Sequence, residues 1–283
     1  SEYAQNYTTC FLQDGDAFVL QTEFLMQILE GIHKYLPNIK HVTTYARADS
    51  IARKSVSELR ELKTAGIEHL YCGMETGSDL ILRKINKGFD AATIIISGTK
   101  AKEAGMVLSE FTLFGIGGKE LAEENAVETA KVLNVIKPDF VRVHATGIKL
   151  SSEMWNYVKN KELTLQSEEE IVSEQKIMLE LLADDMDCIY MNEHIVNLLL
   201  EVRGNIRTDK QNMLETINTY LQLPKQEQEL FNLGRRLNIM FFLADLNNRA
   251  KRKQTEEGLR KIKTQNPDLD LAFVCNYVRQ TQI

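Results

Sequence analysis

The sequence predicts an α/β fold in which parallel β-strands alternate with helices over residues 1–150, followed by a helical region over residues 151–283. Three observations predict it. Five short β-like runs are separated by helix patterns, the connections between them are short, and apolar residues recur at helical spacing after residue 150. Strands that alternate with helices form parallel βα units, either in a barrel or in an open sheet.

The five β-like runs come first in the chain, and each is bounded by polar or glycine-containing segments. They are CFLQ at 10–13, IKHVTTY at 39–45, IEHLYCG at 67–73, MVLSEFTLFG at 106–115 and PDFVRVHA at 138–145.

Helix patterns fill the intervals between these runs. The first covers 22–36, and the second begins at Ser55, where SVSE forms a capping box, and stops before Gly66. Two short helices follow, the second with Asp90 as its N-cap, and a further helix covers about 119–136.

The helical region contains four further helix patterns. They are EMWNYVKNKEL at 153–163, SEEEIVSEQKIMLELLADDM at 167–186 with a Ser167–Glu170 capping box, residues 208–222, and a long run from Pro224.

Composition and charge exclude several classes of function. The chain is 43% hydrophobic and 26% charged. These values are typical of a globular protein with a sizeable core. A net charge of −6 disfavours a nucleic-acid partner. The apolar runs are too short to span a membrane, and the N-terminus has no signal-peptide pattern. We therefore predict a cytoplasmic location without membrane or nucleic-acid partners.

The cysteines and histidines do not predict a metal site within this chain. Cys10, Cys72, Cys188 and Cys275 are far apart and form no CxxC pair, and the five histidines lack ligand spacing. We expect the cysteines to be small buried apolar residues in a reducing compartment.

Polar or glycine-containing clusters follow all five β-like runs. Ligands of parallel βα folds bind at the carboxyl ends of the strands, so the series predicts one binding site; a purely turn-forming role is the alternative. GIGGKE is neither a P-loop nor a dinucleotide motif, because Glu120 stands where Ser or Thr, or a third glycine, is required. The clusters are DGDA at 14–17, ARAD at 46–49, GMETGS at 73–78, GIGG at 115–118 and HATG at 144–147.

This ordered series, with GMETGSDLILRKINKG at 73–88 as its most specific member, resembles the radical S-adenosylmethionine (radical SAM) superfamily. The resemblance is to the class that contains the methylthiotransferase MiaB, NifB and oxygen-independent coproporphyrinogen oxidase. The resemblance covers about residues 8–147, and residues 193–217 also resemble C-terminal regions of this class. It implies an incomplete parallel (βα)6 partial TIM barrel at 1–150, with the first βα unit missing, and a helical region at 151–283.

The resemblance also implies a SAM-binding site, with an unknown substrate beside it. DGDA would contact the methionine amino group, Glu75 the ribose hydroxyls and Lys87 the methionine carboxylate. These pairings suit the charges of SAM. A helix-start role for Glu75, a solvated role for Lys87, a turn role for Asp16 and a structural role for His144 are the alternatives. The cofactor-binding residues implied are Asp14, Gly15, Asp16, Tyr45, Arg47, Gly73, Glu75, Lys87, Leu113 and Gly115, with Arg142 and His144 facing the substrate.

One departure from the family concerns its iron–sulfur cluster. The CxxxCxxC loop that holds the [4Fe–4S] cluster of radical SAM enzymes is absent from this sequence. We expect these ligands upstream in a longer parent protein, together with an electron donor such as flavodoxin or ferredoxin. The chain alone is expected to be inactive, and no catalytic residue is assigned.

The sequence leaves two alternatives to a radical SAM enzyme. One is an aldolase-like lyase with Lys87 or Lys149 as a Schiff-base nucleophile, although Lys87 lies on a predicted helix rather than on a strand. The other is a cluster-free, non-catalytic barrel protein whose helices bind a protein partner. Cysteines at CxxxCxxC spacing upstream of Ser1 would decide for the radical SAM enzyme.

Overall fold

A computed structural model describes residues 6–265 and 268–282. Seven strands form one sheet in the order β1-β2-β3-β4-β5-β6-β7. The strands are β1 (Thr9–Leu12), β2 (His41–Ala46), β3 (Ile67–Glu75), β4 (Val107–Phe114), β5 (Phe140–Ala145), β6 (Ile189–Met191) and β7 (Gly204–Asn205).

Twelve α-helices lie in the described part of the chain, with 3₁₀ turns at Ala17–Val19, Lys119–Leu121 and Leu243–Asn247. The helices are α1 (Thr22–Tyr35), α2 (Ala48–Ala52), α3 (Val56–Thr64), α4 (Asp79–Lys84), α5 (Ala91–Glu103), α6 (Ala122–Ile136), α7 (Glu153–Lys159), α8 (Glu168–Leu181), α9 (Ile206–Leu221), α10 (Lys225–Arg236), α11 (Arg249–Gln265) and α12 (Leu271–Thr281).

Local sequence signals set several helix ends as predicted. The hydroxyl oxygens of Ser55 and Ser167 accept from the N–H groups of Glu58 and Glu170, so both capping boxes form. Asp90 caps α5 by accepting from the Thr93 N–H at 2.8 Å. Gly66 follows the end of α3 with a φ of 115°, a conformation that glycine adopts without strain.

The chain forms two compact units. Unit 1 comprises Ser1–Thr112 and Lys131–Arg142, and unit 2 comprises Leu113–Ala130 and Val143–Ile283. The boundary at residue 150, drawn from the change in sequence pattern, stays a prediction.

The strands of unit 1 are parallel, as the alternation of β runs and helices predicts. β1 pairs with β2, β2 with β3 and β3 with β4, all in parallel register. Residues on one face of β3, such as Leu70, Cys72 and Met74, are fully buried, whereas the alternating residues His69 and Tyr71 are partly exposed. The second face is therefore the partly exposed, open face of the sheet.

Unit 2 is mainly helical, as predicted for the C-terminal half. Its short strands β6 and β7 are antiparallel, with Ile189 opposite Asn205 and Tyr190 opposite Gly204, and the sequence did not predict them. None of the helices in residues 6–265 and 268–282 combines the length and apolar character that a membrane crossing requires.

Candidate functional site

An ion pair lies at the carboxyl end of β3, where the sequence predicts the site. The Lys87 ammonium donates to Oε1 of Glu75 at 2.8 Å, and the two side chains are 16% and 21% exposed. A Cβ atom on Gly73 would stand 2.5 Å from that oxygen and 3.3 Å from the lysine nitrogen. Gly73 therefore lets both charged groups lie directly against the strand.

The backbone at Glu75 is unusual for a residue with a side chain. Its φ is 63°, in the left-handed region that few non-glycine residues adopt, and the β3–β4 register shifts between Gly73 and Glu75. Such bulges redirect a side chain next to functional sites. The chain then enters α4 through Ser78, whose hydroxyl accepts from the Ile81 N–H at 3.2 Å.

The ends of β1, β2 and β3 meet through hydrogen bonds. Asp16 accepts from the Arg47 N–H at 3.1 Å and from the Ser50 hydroxyl at 2.5 Å. The Arg47 guanidinium donates to the Lys87 carbonyl at 2.8 Å and to Asp49 at 3.0 Å. Three of the five predicted strand-end clusters thus form one polar network in unit 1.

The remaining predicted residues near β1 and β2 are more exposed. Asp14 and Gly15 form an exposed turn in which both residues have a positive φ. Tyr45 points its ring toward Phe11 and Tyr71, with ring centroids at 4.8 and 6.1 Å, and is 39% exposed.

Arg142 lies in unit 1 among aromatic rings. Its guanidinium carbon stands 5.1 Å from the ring centroid of Tyr71, 5.8 Å from that of Phe140 and 6.0 Å from that of Phe111. Its Nε donates to the Ser109 hydroxyl at 3.3 Å. The sequence singled out Arg142 from its strand-end position but did not predict the surrounding rings.

Leu113 and Gly115, predicted to be cofactor-binding residues, lie in unit 2 and are held by a buried network. The Gly115 N–H donates to Glu174 at 2.9 Å, and Asn125 donates to the Leu113 carbonyl at 2.9 Å and to Glu174 at 2.5 Å. Burial raises the pKa of Glu174 to about 7. These contacts fix the loop after β4.

His144, the other predicted substrate residue, also lies in unit 2. Its ring is 4.3 Å from that of His194 between centroids. Burial lowers the pKa of His194, so this partner is neutral at neutral pH.

Sequence reasoning missed Glu110, a fully buried carboxyl on β4. Neither oxygen has a hydrogen-bond partner of ordinary geometry among the described residues, and the Cys72 thiol is the polar group that faces it. Burial raises the pKa of Glu110 to about 8, so the group is protonated at neutral pH. The signal in the sequence that could have identified Glu110 is an acidic residue within the largely apolar run VLSEFTLF.

Two comparisons with known proteins show what the chain is similar to. The chain is 24% identical to the heme chaperone HemW of Bacillus subtilis over 173 residues. This aligned region covers 60% of this chain and 45% of HemW. The fold of the chain is similar to that of coproporphyrinogen III oxidase (HemN) of Escherichia coli, which is described as a radical SAM enzyme. The TM-score is 0.50 and the sequence identity is 15%, and the match covers 61% of this chain and 40% of HemN.

The chain resembles radical SAM proteins. The α/β fold with an incomplete parallel barrel and a helical C-terminal region, predicted from the sequence, is confirmed. No family model matches the chain. The chain spans less than half the length of these two relatives.

The residues of this chain fit SAM better than they fit a radical SAM cluster. An ammonium and a carboxylate at the mouth of β3, with a glycine beneath them, suit a zwitterionic ligand. Among the described residues no three His, Cys, Asp or Glu side chains gather in a metal-binding group. Cys72, Cys188 and Cys275 are buried and Cys10 is partly exposed, all as free thiols.

The geometry gives little support to the alternative of an aldolase-like lyase. Lys87 donates to a carboxylate and follows α4, rather than projecting from a strand. Lys149 is exposed and lies beyond the end of β5. A Schiff-base lysine needs a desolvated or cationic setting, which neither a lysine paired with a carboxylate nor an exposed lysine has.

Proposed function

We propose that this chain is the SAM-binding part of a radical SAM enzyme. The observation that carries the proposal is the Glu75–Lys87 ion pair above Gly73, at the strand end to which the family resemblance assigns SAM contacts. The sequence similarity to HemW and the fold similarity to HemN support it.

Each side chain has a task that its chemistry suits. Lys87 would bind the methionine carboxylate and Glu75 the ribose hydroxyls; a lysine has three N–H donors and a carboxylate several acceptor sites, so both keep capacity for SAM while paired. Arg47 holds the Lys87 carbonyl and so orients the loop that carries the lysine. In this class SAM supplies a 5′-deoxyadenosyl radical, after one-electron reduction, for hydrogen abstraction.

The remaining predicted contacts extend this site. Within unit 1, Asp14, Gly15, Asp16 and Tyr45 would complete the methionine and ribose contacts. The cluster cysteines, the electron donor and the hydrogen-donating substrate belong to the proposal for the whole protein, as does its cytoplasmic location.

Equilibrium dialysis with labelled SAM tests the site in this chain. We expect saturable binding that weakens about 10-fold or more in Lys87→Gln and in Glu75→Gln, because charge-assisted hydrogen bonds contribute roughly 1.5–3 kcal/mol each. Lys63→Gln, at an exposed lysine of α3, is the matched control and should bind as the native chain does.

The catalytic part of the proposal is tested in the longer protein. Anaerobic iron–sulfur reconstitution should give a brown, dithionite-bleachable protein that releases 5′-deoxyadenosine from SAM. A colourless protein that leaves SAM intact would reject catalysis, and equal SAM binding by the native chain and both variants would reject the binding site.

A further inference from the structure

The open face of the unit 1 sheet carries a continuous group of aromatic rings. Phe11 and Tyr71 lie 5.4 Å apart between centroids, and Tyr71 and Phe111 lie 6.3 Å apart. His69 stacks on Tyr71 at 4.2 Å and on Phe140 at 5.5 Å. Phe11 is 36% exposed, so part of this ring surface is free to stack against a ligand.

Arg142 places a positive charge at the centre of these rings. Three rings surround its guanidinium, and one nitrogen donates to Ser109. Within residues 6–265 and 268–282 no carboxylate lies within ion-pair distance of Arg142. Asp139, a nearby acid on the same strand-start segment, is held by Lys102 at 2.6 Å and by the Leu108 N–H at 2.9 Å.

His69, which lies next to Arg142, adds no second positive charge to this face. Its Nε2 lies 2.8 Å from the Ser109 hydroxyl oxygen. Burial and the charge of Arg142 lower the pKa of His69 to about 4, so the imidazole is neutral at neutral pH. Arg142 lies beside a flat apolar surface, in a position where an anion has both a charge partner and stacking partners.

We propose that this face, formed by Arg142 with Phe11, Tyr45, Tyr71 and Phe111, binds the carboxylate of a planar, aromatic small molecule. The guanidinium pairs with the carboxylate and the rings stack on the aromatic body. Calling this molecule the substrate rests on the proposed function; the binding site itself does not. Tyr71 lies two residues before Gly73 on the same face of β3. Tyr71 is therefore about 7 Å along the strand from the glycine beneath the Glu75–Lys87 ion pair.

The test uses 2-naphthoate and its neutral isostere 2-naphthamide as probes. Each is titrated into the full chain by calorimetry at neutral pH. We expect 2-naphthoate to bind at sub-millimolar concentration and 2-naphthamide to bind at least about 10-fold more weakly, because only the carboxylate pairs with Arg142. Equal affinities, or no binding of 2-naphthoate at millimolar concentration, would overturn the proposal.

Variants separate the two parts of the site. Arg142→Gln should weaken 2-naphthoate about 10-fold or more and leave 2-naphthamide nearly unchanged, and Arg142→Lys should restore part of the loss. Tyr45→Ala should weaken both probes equally. Arg60→Gln, at an exposed arginine of α3, is the control and should change neither. Unchanged 2-naphthoate binding by Arg142→Gln contradicts the inference.

The outcome is distinguishable from that of the SAM experiment. Lys87→Gln should bind 2-naphthoate as the native chain does. Native chain that binds 2-naphthoate but not SAM would reject the proposed function and leave the carboxylate site in place. The reverse result would reject the carboxylate site alone. If Arg142→Gln fails to fold, the comparison of the two probes on the native chain still decides.

Discussion

Arg142 in unit 1 and the buried pair Arg236 and Arg279 in unit 2 have different surroundings. In unit 2, Arg236 donates to both oxygens of Glu168 at 2.8 Å, and Arg279 donates to the same carboxylate at 3.1 Å. All three side chains are at most 2% exposed. Burial alone would raise the pKa of Glu168, but the two arginine charges lower it to about 2.

In unit 1, Arg142 has rings and a hydroxyl but no carboxylate among the described residues, and the buried Glu110 has no cation in hydrogen-bond contact. A buried cation needs charge or hydrogen-bond partners, because an unpaired buried charge is costly. The fully buried Arg235 of unit 2, for example, donates to the carbonyls of Ile195, Asn197 and Leu198. The contrast fits the proposal that Arg142, which is only partly buried, is available to a ligand.

The largest effect is expected at Glu168. Glu168→Gln leaves Arg236 and Arg279 buried without a full counter-charge, and we expect it to lower the free energy of unfolding by about 3–5 kcal/mol. Urea denaturation followed by circular dichroism measures this. Glu180→Gln, at the exposed end of the same helix, should cost about 0.5 kcal/mol or less. Equal costs in the two variants would contradict a structural role for the buried pair.

A smaller, pH-dependent effect is expected at Glu110. Its folded pKa of about 8 lies above the ordinary carboxyl value, so its contribution to stability is present at low pH and is lost as pH rises through about 8. Glu110→Leu should therefore be more stable than the native chain by about 1–3 kcal/mol at pH 8, with a smaller gain at pH 5.

The check for Glu110 is the urea midpoint of both proteins at the two pH values. Glu110→Gln, which also cannot ionise, should show the same loss of pH dependence. If native and variant chains have parallel pH profiles, Glu110 does not titrate as its burial indicates.

The smallest effect on stability is expected at Arg142. Arg142→Gln should lower the free energy of unfolding by only about 1 kcal/mol, since it removes cation–π contacts but leaves no buried acid unpaired. Arg236→Gln, the matched change in unit 2, should cost about 3–5 kcal/mol. Comparable losses in the two variants, measured by urea denaturation, would mean that Arg142 is also structural.

The sequence predicted the elements well because their signals are local. Hydrophobic periodicity located β1 to β5, and side-chain caps at Ser55, Asp90 and Ser167 located helix starts. The short strands β6 and β7 were missed because three and two residues carry too little periodicity to be recognised.

The candidate site was predictable only in part. Position at a strand end singled out Glu75, the family resemblance added Lys87, and the structure brings the two side chains together. The rings around Arg142 could not be predicted, because the contact between Arg142 and Tyr71 depends on the register of strands that are distant in sequence. Glu110 was missed because its charge stands in a run that is otherwise typical of a strand.

The position of the only tryptophan has a practical consequence. Trp155 of α7 lies 6.1 Å from Phe273 of α12 between ring centroids, and unit 1 contains tyrosines and phenylalanines but no tryptophan. Emission excited at the red edge of the absorption band therefore reports the packing of α7 against α12. A single optical signal, read without any label, can follow one unit of the molecule while the other is perturbed.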